Sequence, residues 1–151
     1  MRIWQLIIFI QLIVFLQSRP LLAASVDAAA GSKVAVIASS SSTPGVISAN
    51  TLRAIFVMNQ TKWSDGTPVK VYVFSDSNPI HETFSKEVLK FFPRQLRRAW
   101  DRQVFAGLGQ YPEQVSTPQE MLAKVKATPG SVGYLLSQEV NQDVRILQIS
   151  Q

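Results

Sequence analysis

The order of local signals along the chain predicts a mixed α/β domain in which helices flank one sheet. Two observations carry that prediction. Short runs rich in β-branched and aromatic residues alternate with segments whose apolar residues recur at helical spacing. At 151 residues, 46% hydrophobic and 17% charged, the chain suits one globular domain and is too short for two full ones. Across residues 33–151 the elements read β-α-β-α-α-α-β-β, without an internal repeat.

Residues 1–24 stand apart from that domain. Arg2 supplies a short positive start, and residues 3–16 are apolar but for Gln5 and Gln11. Small residues follow at Ala23, Ala24 and Ser25, completing the pattern of a secretory signal peptide. A membrane anchor is the rival reading. The apolar run falls short of the ~20 residues a spanning helix needs, and Arg19 and Pro20 cut off its extension. Cleavage is expected after Ala24, with Ala30 a later alternative, and residues 25–32 (SVDAAAGS) are expected to be a flexible lead-in.

Residues 33–38 (KVAVIA) read as a short buried strand and residues 39–45 (SSSSTPG) as a loop. Ser48 can cap a helix presenting Leu52, Ile55 and Phe56 on one face. The connector 59–68 (NQTKWSDGTP) holds Trp63, read as a packing anchor, and Asp65-Gly66, which supplies tight-turn chemistry before the central strand.

That strand opens the stretch 69–92, VKVYVFSDSNPIHETFSKEVLKFF. Val69, Val71, Tyr72, Val73 and Phe74 have the composition of a strand in a covered sheet. Ser75, Asp76, Ser77 and Asn78 stop it, because short polar side chains bond the local backbone instead of a ladder. Asn78 is a good N-cap and Pro79 fits the first helical position. A helix beginning at a strand's carboxyl end turns N–H groups outward, where small anions bind in open α/β sheets. Residues 75–80 are therefore the candidate ligand site, with Ser75, Asp76, Ser77 and Asn78 its named members. The same residues also serve simply as helix caps, and capping alone accounts for serine and asparagine here. His81 reads as an exposed residue of the first helical turn.

Phe92-Pro93 marks a break and a new helix over 94–104, with Leu96, Ala99, Trp100 and Val104 on one face. Arg94, Arg97, Arg98 and Arg102 lie on the other, within an arc of roughly 140° at ~100° per residue. Such a face is ordinarily solvated; its functional reading is a docking surface for an acidic protein, anionic lipid or cell-wall polymer, with Arg94, Arg98 and Arg102 as candidate partner-binding residues. Gly107 and Gly109 end that helix. Thr117-Pro118-Gln119-Glu120 is a capping box leading into Met121, Leu122 and Val125, closed by Thr128-Pro129-Gly130. Residues 131–136 (SVGYLL) and 143–149 (DVRILQI) complete the elements as two strands.

Composition narrows the chemistry. The absence of cysteine excludes disulfides and thiol catalysis. A single histidine with no cysteine beside it builds no metal site, and no close carboxylate pair suggests acid–base catalysis. No enzyme, cofactor or metal is expected. Without Arg2 and Arg19 the formal net charge of +5 falls by two, so an exported chain this mildly basic is not expected to bind nucleic acid.

Four stretches, in order, carry a family resemblance. They are Leu52-Arg53-Ala54-Ile55-Phe56 with Lys62-Trp63-Ser64-Asp65-Gly66-Thr67-Pro68; the strand, turn and helix of 71–84; Val104-Phe105-Ala106-Gly107-Leu108-Gly109; and Thr128-Pro129-Gly130-Ser131-Val132-Gly133-Tyr134. Together they resemble the periplasmic phosphate-binding proteins of ABC transporters, over about residues 33–149. The resemblance implies a single lobe of the type II periplasmic-binding-protein fold, and a periplasmic protein binding phosphate or a similar small oxyanion, with an ABC permease or another envelope protein as partner. Family members that trap phosphate close two lobes over it. They also carry an arginine and a glycine-serine-glycine-threonine turn where this chain has Phe74 and Ser77-Asn78-Pro79-Ile80, while Ser75 and Asp76 match. Losing the arginine removes a planar bidentate donor, and Pro79 removes an N–H. The alternative is an adaptor lobe that has lost its ligand and docks onto another envelope protein.

Overall fold

A computed structural model describes residues 33–41 and 44–151; the expected signal peptide (1–24) and lead-in (25–32) lie outside the described residues. β1 (Val34–Ala38) is buried along its whole length, as its apolar composition requires. β2 (Val46–Ser48) leads into α1 (Ala49–Phe56), capped by the Ser48 side chain accepting from the Thr51 N–H at 3.0 Å. Leu52, Ile55 and Phe56 form its buried face, as their spacing predicts. β3 (Lys70–Val73) ends at the polar turn. Asn78 then caps α2 (Pro79–Thr83), which widens without a break into a π-helical segment, Phe84–Leu89. The expected break at Phe92-Pro93 starts α3 (Pro93–Phe105), which buries Leu96, Ala99 and Trp100. Val104, placed on that face by periodicity, is only half-buried. β4 (Glu113–Gln114) precedes α4 (Pro118–Ala127). The remainder is β5 (Ser131–Leu136), a 3-10 turn (Ser137–Glu139), β6 (Arg145–Ile146) and β7 (Gln148–Ser150).

The α4 cap departs from a full capping box. Thr117 accepts from the Glu120 N–H at 3.1 Å, but the Glu120 carboxylate accepts from Ser116 N–H at 2.8 Å, one residue earlier than expected.

The main sheet has the order β4-β3-β5-β1-β6. β3 runs parallel to β4 and β5, with Tyr72 opposite Glu113 and Val71 opposite Val132. β1 runs antiparallel to β5 and β6, with Val36 opposite Tyr134 and Ile37 opposite Ile146. Two sequence-based expectations change here. The middle of the sheet belongs to β5, whose first five residues are all buried, and not to the strand before the polar turn. The final stretch is two strands instead of one, in two sheets instead of one. Leu147, 3% exposed, donates its N–H to the Val36 carbonyl at 2.9 Å, and the chain then leaves the main sheet to pair β7 in parallel with β2.

The packing anchor behaves as predicted. Trp63 is buried and its indole N–H donates to the Gly130 carbonyl at 2.8 Å, across 67 residues of sequence. Gly130 sits at φ +74, with the Pro68 carbonyl close to where a Cβ would be. Two of the family-like motifs, the KWSDGTP turn and the TPGSVGY run, therefore form one structural joint between α4's end and the start of β3. Their residues fix the strand pairing of Lys70 with Ser131.

Candidate functional site

The carboxyl end of β3 delivers the candidate residues to the surface. Phe74 is buried, Ser75 and Asn78 are half-buried, and Asp76 and Ser77 are exposed. Capping consumes part of the turn. The Asn78 side chain accepts from the Ile80 N–H at 2.8 Å, its own N–H donates to the Ser75 carbonyl at 2.9 Å, and Ser75 and Ser77 hydroxyls pair at 3.2 Å. The backbone N–H groups of Asp76 and Ser77 have no partner among the described residues, and both residues are exposed.

A residue that periodicity assigned to the outer arginine face completes the turn. Arg97, from the second turn of α3, grips Asp76 with two hydrogen bonds: Nε to Oδ2 at 3.0 Å and Nη2 to Oδ1 at 2.8 Å. Its guanidinium lies 4.9 Å from the Trp100 ring and 5.9 Å from that of Tyr111. The bond to Asp76 holds the Arg97 proton more tightly than usual. The sequence has Phe74 where the resemblance implies arginine. The structure brings a guanidinium to Asp76 from 21 residues further on. No local signal singles it out: on the helical arc Arg97 lies at one end and Arg102 at the other.

His81 corrects the sequence-based expectation of exposure. It is fully buried, set between the Tyr134 ring of β5 and the Trp100 ring of α3. Its Nδ1 lies 2.5 Å from Tyr134 Oη, which also accepts the Phe74 N–H at 3.0 Å. Every atom is satisfied when the tyrosine hydroxyl donates to Nδ1, so the imidazole is neutral with its proton on Nε2. Nε2 faces Ser85 Oγ at 3.5 Å and Asp76 Oδ1 at 3.8 Å. Burial pushes the His81 pKa below its ordinary value; the Asp76 carboxylate pulls the other way and the Arg97 cation adds to the depression. Burial likewise raises the Tyr134 hydroxyl. Phe84 stacks on the Tyr134 ring at 3.9 Å and Phe74 meets it edge-on, so the platform under the turn is rigid.

Asp76 is thus held from outside by a guanidinium and approached from inside by a neutral imidazole N–H. The remaining candidates lie elsewhere. Arg94, Arg98 and Arg102 are exposed along α3 and make no ion pair or hydrogen bond among the described residues. No cluster of three or more His, Asp or Glu able to hold a metal occurs among the described residues, and none of their helices is long and apolar enough to cross a membrane.

With this geometry in place, known structures locate the fold. A phosphate transport receptor from Vibrio cholerae superposes with a TM-score of 0.57 at 14% identity, covering 77% of this chain and 45% of that one. A putative phosphate ABC transporter substrate-binding protein from Clostridium perfringens, solved with bound phosphate, gives 0.62 at 14%, covering 77% and 44%. PstS from Borrelia burgdorferi gives 0.60 at 16%, covering 83% and 53%. The fold is that of one part of these phosphate-binding structures. The chain spans about half the length of these structures, and the likeness is one of fold. No protein-family model matches the sequence, and no curated protein matches it either.

Proposed function

We propose that the chain is an exported, non-catalytic solute-binding module taking phosphate or a similar small oxyanion, in service of an ABC transport system. The observation that carries this reading is Arg97 on Asp76 above the turn 75–78, in a fold shared with a structure that holds phosphate. The guanidinium supplies positive charge and spare N–H donors beside the unpartnered Asp76 and Ser77 N–H groups. Ser75, Ser77 and Asn78 add side-chain donors.

Asp76 sets which oxyanion is welcome. A carboxylate only accepts hydrogen bonds, so it favours an anion that still carries a proton. Phosphate does near neutral pH and sulfate does not. The module is therefore expected to prefer phosphate. Isothermal titration with each anion tests this: phosphate gives heat at millimolar concentration, sulfate gives less, Asp76→Asn narrows the gap, and Arg97→Ala weakens phosphate by about tenfold or more. The reading fails if neither heat nor a thermal shift accompanies millimolar phosphate.

A further inference from the structure

The rest of the arginine helix holds a site of different character. Arg98 and Arg102 line a cleft of about 570 Å³ between α3 and the chain just beyond α1, floored partly by Phe91. No carboxylate is among its lining residues. Its amide side chains are oriented by their own bonds. Gln95 Oε1 accepts from the Phe92 N–H at 2.8 Å, and Gln103 Nε2 donates to Asn59 Oδ1 at 2.7 Å. The NH2 groups of Gln95 and Asn59 are left free, against one free carbonyl on Gln103. With two unpaired guanidiniums, the cleft is dominated by donors. It calls for a ligand rich in acceptors and negative charge.

Size and spacing say more. The cleft is far larger than an inorganic oxyanion and falls in the range of sites for drug-sized ligands. Arg98 and Arg102 are one helical turn apart, about 6 Å along the axis. In an extended peptide, side chains two residues apart project from one face at about 6.6–6.8 Å. At the far end of the same stripe stands Phe105, 85% exposed, with Leu108 69% exposed just beyond it. We infer that this cleft docks an extended acidic segment of a partner protein, two carboxylates at alternate positions pairing with Arg98 and Arg102 and an apolar residue resting on Phe105. This inference does not rest on the oxyanion reading, since Arg97 is the arginine committed to Asp76.

The probe is the peptide Glu-Ser-Glu-Ser-Leu-amide with fluorescein coupled to its N-terminal amine in place of an acetyl cap, followed by fluorescence anisotropy on the whole protein. The comparison peptide is Glu-Glu-Ser-Ser-Leu, which has the same composition but the wrong spacing. Wild type binds the first peptide more tightly than the second. The pair Arg98→Glu and Arg102→Glu weakens it by about tenfold or more, and Phe105→Ser by about threefold. The pair Lys33→Glu and Lys62→Glu changes net charge equally at exposed positions outside the cleft, and leaves binding within about twofold. All of these variants alter exposed side chains, so their unfolding temperatures are expected to stay near wild type. The inference is overturned if wild type binds neither peptide, if the two peptides bind equally, or if both charge-reversed pairs lose affinity alike. Citrate competing as well as the peptide would make this a small-polyanion cleft and overturn the peptide docking.

Discussion

His81 shows how one side chain ties the surface turn to the core. Its neutral imidazole accepts from Tyr134 and lies 3.8 Å from Asp76 through the other nitrogen. Because burial depresses its pKa in the folded chain, the unfolded chain takes up a proton first as pH falls through about 6.5. Stability is then full above that value and declines below it, toward the depressed folded-state value. His81→Gln removes the titrating group while keeping a side-chain acceptor for Tyr134. Thermal unfolding between about pH 7.5 and 5.5 should show a falling midpoint for wild type and a flatter profile for the variant. Equal slopes would place the proton uptake elsewhere. Tyr134→Phe acts differently. It leaves the buried Phe74 N–H without its acceptor and His81 Nδ1 without its donor, costing about 1–3 kcal/mol at every pH in that window.

At the scale of elements, the joint between the KWSDGTP turn and the TPGSVGY run controls whether β3 and β5 meet in register. Gly130 occupies a left-handed conformation and crowds the Pro68 carbonyl, while its own carbonyl takes the Trp63 indole N–H. Gly107 at the end of α3 is also left-handed, at φ +70, but a methyl group there would meet nothing within 4 Å. Replacing each with alanine separates the two demands. Gly107→Ala bears only the left-handed conformation, on the order of 1 kcal/mol. Gly130→Ala adds a backbone collision and should lose several times as much, seen as a lower denaturant midpoint with unchanged slope. Equal losses at the two sites would mean that the joint yields without strain.

These elements also show what the sequence made legible and what it left hidden. Local chemistry was readable: Ser48, Asn78 and Thr117 cap helices as their side chains predict, and Pro79, Pro93 and Pro118 stand at first helical positions. Positions that depend on distant partners were not. His81 looked exposed because a short helix gives periodicity too little length to fix which way it faces. The last strand looked continuous because nothing local marks the change of sheet at Leu147; only its bond to Val36 does. Arg97 reads as one of four similar arginines, and what separates it is Asp76, 21 residues earlier.

At the scale of the whole molecule, what decides the proposed site's affinity is the exposure of its turn. Asp76 and Ser77, which carry the proposed site, are exposed among the described residues. An anion at this turn keeps much of its hydration, so each hydrogen bond to it contributes little net free energy, and the water-excluded gain of an enclosed pocket is absent. If the proposed function holds, affinity in the millimolar range is expected. A ligand binding only the folded state stabilises it by RT ln(1 + [L]/Kd), so a Kd near 1 mM gives about 1.4 kcal/mol at about 10 mM phosphate. That is a rise of about 5 °C for a domain of this size. The midpoint should climb with the logarithm of phosphate concentration above a millimolar onset, and Arg97→Ala should move that onset upward. A response saturating at micromolar phosphate would contradict the open site, because only an enclosed one, completed by a second chain or a second copy, could hold the anion so tightly. Sedimentation at that phosphate concentration would separate the two: a second copy appears as a heavier species of this chain alone, and an unchanged monomer would mean that the turn itself binds far better than its exposure allows.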